Sequence, residues 1–201
     1  MTRAVSESVV VPTGEGPLPS RDACRAALLP LVRAVCRTGA VTLSSGQVSD
    51  FYVDGKQITL APDGAFWFAA WIFQTVAPRG VVAIGGPSIG ADPIAGAVAL
   101  LSHQAGRSLR GFMVRPAAKE YGMQHRIEGP LRAGDRVAVV EDVVTSGKSL
   151  LRAIDAVEEA GAQVAVALAL VDRQEGGAQA LQVAGYQFEA VLTRADLTAD
   201  R

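Results

Sequence analysis

The segment Val139-Val140-Glu141-Asp142-Val143-Val144-Thr145-Ser146-Gly147-Lys148-Ser149 holds the chain's densest group of reactive side chains. Two carboxylates end an apolar run, and a hydroxyl- and glycine-rich turn follows that opens a helix. Backbone N–H groups at a helix start, joined by the Thr145, Ser146 and Ser149 hydroxyls, make a cradle for a phosphate monoester. Glu141 and Asp142 beside it are acceptors suited to two vicinal hydroxyls. A phosphate site next to a diol site describes a ribose 5′-phosphate. Gly147-Lys148-Ser149 also invites a rival reading as a nucleoside-triphosphate loop. That motif needs a glycine five residues before the glycine of Gly-Lys-Ser. Asp142 stands there, and its carboxylate would repel the β- and γ-phosphates. An ordinary strand–turn–helix with capping residues is the stronger competitor, but it leaves the two adjacent acids unexplained.

Other residues invite chemistry one at a time. Arg173 lies in Asp172-Arg173-Gln174-Glu175-Gly176, after an all-apolar run. Its planar guanidinium can pair a carboxylate bidentately. A surface ion pair with Asp172 or Glu175 is the plainer alternative. Its place at the carboxyl end of a central strand favours a site. Residues 115–130 show no periodicity and carry Arg115, Lys119 and His125. A loop that long in a compact domain points to function, although a merely solvated loop would have the same composition. Phe51 and Tyr52 could stack on a flat ring, yet an aromatic in a strand is more often core. In Gly85-Gly86-Pro87-Ser88-Ile89-Gly90-Ala91-Asp92, small residues would let the backbone approach an anion closely. The glycine spacing there is not that of a dinucleotide fingerprint. His103, at a helix end, reads as structural.

These residues need a frame. Ser20 is a good N-cap for a helix over 21–37, which Pro30 is expected to kink or split. Short strands at 40–43 and 51–54 flank a Ser-Ser-Gly turn. Pro62 opens a helix to about Val76. Its Phe66, Trp67, Phe68, Trp71 and Phe73 cover more than one face, as core packing or a subunit interface would require. Strands at 81–84, 109–114, 137–141, 164–171 and 187–192 then alternate with helices at 91–104 and 148–160, and a short helix follows Thr193. This alternation implies an α/β fold, a mostly parallel sheet flanked by helices. Ligands of such sheets bind beyond the carboxyl ends of the strands. Segments 85–90, 115–130, 141–149 and 172–177 fall there, and they hold almost every unusual residue named above.

Composition bounds the rest. The 201 residues suit one domain, 49% are hydrophobic and 19% charged, and the formal net charge is −1. A real core can form. No broad positive field points to nucleic acid or an acidic membrane, so an anion site must be local. Residues 1–19 read as a disordered or loosely attached arm and 20–201 as a single domain. Cys24 and Cys36 read as buried reduced thiols. No apolar run reaches the ~18 residues of a membrane span, and the N-terminus does not read as a secretion signal. The expected setting is the cytoplasm.

Segment 139–149 resembles the signature with which type I phosphoribosyltransferases bind phosphoribosyl diphosphate (PRPP). The resemblance extends over about residues 20–195 and is to the orotate phosphoribosyltransferases in particular. It implies a small N-terminal hood, over about 20–60, above the pyrimidine, carried here by 41–46 and 51–55. It implies a mobile catalytic loop, about 115–130, whose Arg115 and Lys119 clamp the diphosphate, commonly in the neighbouring subunit's site. A homodimer with shared active sites would follow. The turn 85–92 matches the diphosphate loop, with Pro87 and Ser88 as contacts. Arg173 matches the arginine that contacts the orotate carboxylate, with Thr145, Phe51 and Tyr52 as further orotate contacts. PRPP would be held by Glu141, Asp142, Val143, Val144, Thr145, Ser146, Gly147, Lys148 and Ser149. The chain departs from many relatives, which carry lysine at Ser44, near Gly90 and at Pro116, and histidine at Tyr121. His125 is a candidate replacement for that histidine.

The resemblance implies a magnesium-dependent transfer of the phosphoribosyl group to orotate in pyrimidine (UMP) biosynthesis. Lys119, Arg115 and Asp142 would be catalytic. Magnesium would be held mainly through PRPP and water, with no protein side chain assigned as its ligand. A phosphoribosyltransferase for another base, which would not need Arg173, is the enzymatic alternative. A PRPP-sensing regulator that binds nucleic acid is the other. It needs a basic face or an added domain, against which the net charge of −1 and the short arm argue.

Overall fold

The computed structural model describes residues 17–42, 48–116 and 126–199. Ser20 caps the first helix, α1 (Arg21–Val35), by accepting from the Ala23 N–H at 3.2 Å. Pro30 lies inside α1, yet the helix continues to Val35 without splitting. Proline removes one helical hydrogen bond. The buried row Cys24, Leu28 and Val32 packs into the main apolar layer and supplies the compensating contacts. Both cysteines are buried, although Cys36 already begins a strand.

That strand, β1 (Cys36–Thr42), pairs antiparallel with β2 (Val48–Val53). It begins earlier than expected and takes in Arg37. A short helix α2 (Lys56–Thr59), which the pattern of residues did not signal, follows β2. These pieces fall in the stretch where the resemblance implies a hood. Helix α3 (Pro62–Val76) starts on its proline and buries Phe68, Trp71 and Ile72. Phe66, Trp67 and Phe73 are half-buried against the same layer, so these aromatic side chains take part in core packing. A 3-10 turn (Ala77–Arg79) leads out of α3.

The body then alternates: β3 (Ala83–Pro87), α4 (Asp92–Gln104), β4 (Arg110–Val114), β5 (Ile127–Glu128), β6 (Arg136–Val144), α5 (Lys148–Glu159), β7 (Gln163–Asp172), α6 (Gly177–Val183), β8 (Phe188–Thr193) and α7 (Arg194–Thr198). Helix α6 was not expected. The six strands β3–β8 form one sheet in the order β5-β4-β3-β6-β7-β8. All its pairings are parallel except that of β4 with β5. One apolar layer joins the sheet to α1, α3 and α4; the other joins it to α5 and α6. Val137, Val139, Val140, Leu168 and Leu170 are 0% exposed. Burial of each such side chain contributes ~1.5–3 kcal/mol.

The chain runs outward from β3 to β4, then crosses back to place β6 on the other side of β3. The direction of winding therefore reverses between β3 and β6. A crevice opens at such a point beyond the strand ends.

Candidate active site

The acid pair lies inside β6 rather than at its end. Pairing with β7 runs on through Glu141↔Ala169 and Val143↔Val171 to Val144↔Asp172. The ladder thus carries the strand three residues past the expected end. Asp142 is buried, and its carboxylate accepts from Lys56 Nζ at 2.9 Å and from the Val143 N–H at 3.0 Å. Two glycines press on it. A Cβ at Gly55 would come within 2.9 Å of Asp142 Oδ2, and one at Gly90 within 2.7 Å of Oδ1. The same Cβ at Gly90 would lie 3.8 Å from Glu141 Cγ, so the turn after β3 closes over both acids. Burial, and then the charge of Asp142, push the Glu141 carboxyl up to about 8, against a smaller downward pull from Lys56 and Arg152.

The phosphate turn spans β6 and α5. Gly147, at φ +74°, is the N-cap, and no side chain caps the helix there. The first N–H groups of α5 are thus left to other acceptors. The turn is braced from behind: Gly177 donates its N–H to the Thr145 carbonyl at 3.0 Å. Thr145 and Ser149 are half-buried, while Ser146 and Lys148 are exposed. Val144 is core in one apolar layer and Val143 packs against the other, so these two can offer a ligand only their backbone.

Gly85, Gly86 and Pro87 are strand residues paired with β4, so the turn proper is Ser88–Ala91. A Cβ at Gly86 would meet the Val140 carbonyl at 2.0 Å, which only glycine avoids. Ser88 Oγ donates to Asp92 Oδ1 at 2.9 Å. Beside this turn, Pro87, Ser88, Arg115, Arg126, Ser149 and Arg152 line a cleft of about 180 Å³. Arg115 also pairs with Glu128 at 3.3 Å. Lys119, Tyr121, His125 and Ser44 lie outside the described residues.

Arg173 follows the last residue of β7 and is buried. Its Nη2 donates to the Phe51 carbonyl at 2.9 Å and to Glu175 Oε1 at 2.7 Å. The ion pair with Glu175 is therefore real, and it joins a buried guanidinium to a carboxylate at the surface. Phe51 contributes that carbonyl and not a stacking face. Its ring is 0% exposed and lies under the Arg194 guanidinium, 5.2 Å from the ring centre. Along a strand, neighbours point to opposite faces. Tyr52 is half-buried on the other face of β2, which leaves it as the hood's candidate for stacking.

The sheet's carboxyl end thus gathers the acid pair, the phosphate turn, the Ser88 turn, Arg115 and Arg173. Reading by residue type missed Lys56, Arg126 and Arg152, because a charged residue in an amphipathic helix or loop looks like a solvated surface. The chemistry on offer is oxygen acceptors for a diol, N–H donors for a phosphate and guanidinium groups for further anionic charge. Among the described residues, no group of three or more His, Cys, Asp or Glu side chains could hold a metal ion.

The chain is similar to known proteins in both sequence and fold. Residues 63–183 match the model of the phosphoribosyl transferase domain. The orotate phosphoribosyltransferase of Nostoc sp. is 42% identical over 168 residues, 83% of this chain and 81% of its own length. The orotate phosphoribosyltransferase of Mycobacterium tuberculosis H37Rv in complex with Fe(III) dicitrate superposes with a TM-score of 0.77 at 40% identity, covering 87% of this chain and 99% of that one. The structure of the same enzyme in complex with PRPP gives a TM-score of 0.73 at 36% identity, over 87% and 98%. By sequence and by fold, this chain belongs to the orotate phosphoribosyltransferase family.

Proposed function

We propose that the chain transfers the phosphoribosyl group of PRPP to orotate, releasing diphosphate and forming orotidine 5′-monophosphate for UMP synthesis. The observation that carries the reading is the juxtaposition of the Glu141–Asp142 pair with the Thr145–Ser149 turn at the β3/β6 crevice. Glu141 and Asp142 take the ribose hydroxyls. The first N–H groups of α5, with the Thr145, Ser146 and Ser149 hydroxyls, take the 5′-phosphate. Arg173 orients the orotate carboxylate and Tyr52 covers the ring.

In the reaction the bond from the anomeric carbon to a diphosphate oxygen breaks, and its electron pair leaves with the diphosphate. A nitrogen of the orotate anion supplies the pair for the new bond. The ring passes through a state with oxocarbenium character, and negative charge grows on the leaving group. The nucleophile is already anionic, so the protein's part is positioning and charge complementarity. Arg115 and Lys119 offset the diphosphate charge. Ser88 and the backbone around Pro87 approach it from the β3 turn. Loop closure over the site excludes water that would otherwise hydrolyse PRPP.

Magnesium fits this donor set as an ion carried by the substrate. Glu141 and Asp142 are oxygen ligands it could meet directly or through water. When bound, it offsets the diphosphate charge. A homodimer in which one subunit's 115–130 loop serves the other's site agrees with the resemblance, as does a cytoplasmic setting. No helix among the described residues is long and apolar enough to cross a membrane.

The test is orotate consumption, followed by its ultraviolet absorbance, with purified protein, PRPP and magnesium. Uracil, hypoxanthine and adenine serve in parallel runs. Turnover of orotate alone supports the reading; turnover of another base, or none with PRPP bound, overturns it.

A further inference from the structure

Lys56 opens α2 in the hood, 86 positions from Asp142 in sequence, yet its Nζ lies 2.9 Å from Asp142 Oδ2. The chain is steered to that contact. Gly55 lies so close to β6 that a Cβ on it would be 2.8 Å from Asp142 Cβ and 2.9 Å from Val143 Cγ2. The next residue therefore leaves the backbone directly over the carboxylate. The two partners are unequal: the Asp142 side chain is 8% exposed, whereas that of Lys56 is 46% exposed. The cation thus covers a buried acid on one side and stays about half exposed on the other. Burial opposes its charge, but the hydrogen bond and charge of Asp142, helped by Asp54 and Glu141, hold the ammonium above the usual lysine range.

The need for such a group follows from charge. The Asp142 carboxylate stands beside the place where a ligand bearing a phosphate and a diphosphate must arrive. Unscreened, it repels that ligand. We propose that Lys56 is a positioning residue for PRPP: it fixes the Asp142 carboxylate between Gly55 and Gly90 and offsets its negative charge towards the incoming diphosphate ester. The role rests on the PRPP-dependent reading above. It goes beyond that reading by giving the hood a part in binding the sugar phosphate as well as the base.

The test begins with calorimetric titration of the wild-type protein with PRPP and magnesium. Absence of binding there would sink the PRPP reading itself, before any variant is made. With binding established, Lys56→Met keeps the apolar stem and removes the charge, and Lys56→Arg keeps the charge. The Kd and KM for PRPP are expected to rise about tenfold in Lys56→Met, by analogy with the loss of one member of a partly desolvated charge pair. The KM for orotate should stay within about twofold, and Lys56→Arg should restore most of the PRPP affinity. Unchanged PRPP affinity in a folded Lys56→Met protein overturns the proposal. So does a lowered melting temperature with both KM values raised alike and no recovery in Lys56→Arg, which is the signature of a hood that is merely loosened.

Discussion

Arg173 Nη2 hydrogen-bonds the backbone carbonyl of Phe51 at 2.9 Å, tying the end of β7 to the hood strand β2 across 122 positions of chain. The same nitrogen reaches Glu175 at 2.7 Å. A guanidinium held from two sides keeps one orientation, which is what recognition of a planar carboxylate requires. Arg173→Lys keeps the charge and loses the fork. The KM for orotate is expected to rise by about tenfold or more, with the KM for PRPP little changed. Arg173→Ala strips the donor from two acceptors as well. It should cost about 1–3 kcal/mol of stability, read by denaturant unfolding.

Glu141 makes stability depend on pH. In the folded chain it keeps its proton up to about 8, against the ordinary value of 4.5. Between those values the folded state binds the extra proton, so stability falls as pH rises through the window and levels off above it. Glu141→Gln lacks this titration. Its melting temperature relative to wild type should climb between about pH 5 and about pH 8, while PRPP binding weakens. Parallel thermal melts across that range check this, and a flat difference would count against it.

Gly90 has no room for a side chain. A Cβ there would come within 2.7 Å of Asp142 Oδ1, and Asp142 cannot retreat because Gly55 presses on it from the hood side. Gly90→Ala should therefore displace the carboxylate or the turn. The expected result is about a tenfold or greater loss in kcat/KM for PRPP, the scale of effect that a small misplacement in a preorganised site produces. Steady-state kinetics at saturating orotate measures it.

Lys119→Ala should lower kcat by about a hundredfold or more, the scale seen when a group that stabilises transition-state charge is removed. Thermal stability should stay at the wild-type value. A variant with undiminished kcat would remove Lys119 from the catalytic set.

Much of this molecule is legible in its residues taken in order. The α/β alternation follows from apolar runs of strand length between amphipathic stretches. Ser20 as a cap and Pro62 as a helix start follow from local chemistry, and the structure has both. Glu141 and Asp142 stand out because ionisable groups are costly in an apolar strand. Arg173 stands out because it ends another. These are local signals, written within a few positions of chain.

Tertiary structure decided what depends on distant segments meeting. The ladder to β7 extends β6 through Val144 and turns what reads as a loop into strand. Packing against the main layer carries α1 through Pro30 and takes the Phe51 ring out of reach of any ligand. The match of Lys56 to Asp142, of Gly90 to both acids, and of Arg126 and Arg152 to one cleft appears in no local pattern. A residue's type and near neighbours set its capacity for chemistry. Which partner it meets depends on the crossing of the chain from β4 back past β3, and only the folded sheet contains that.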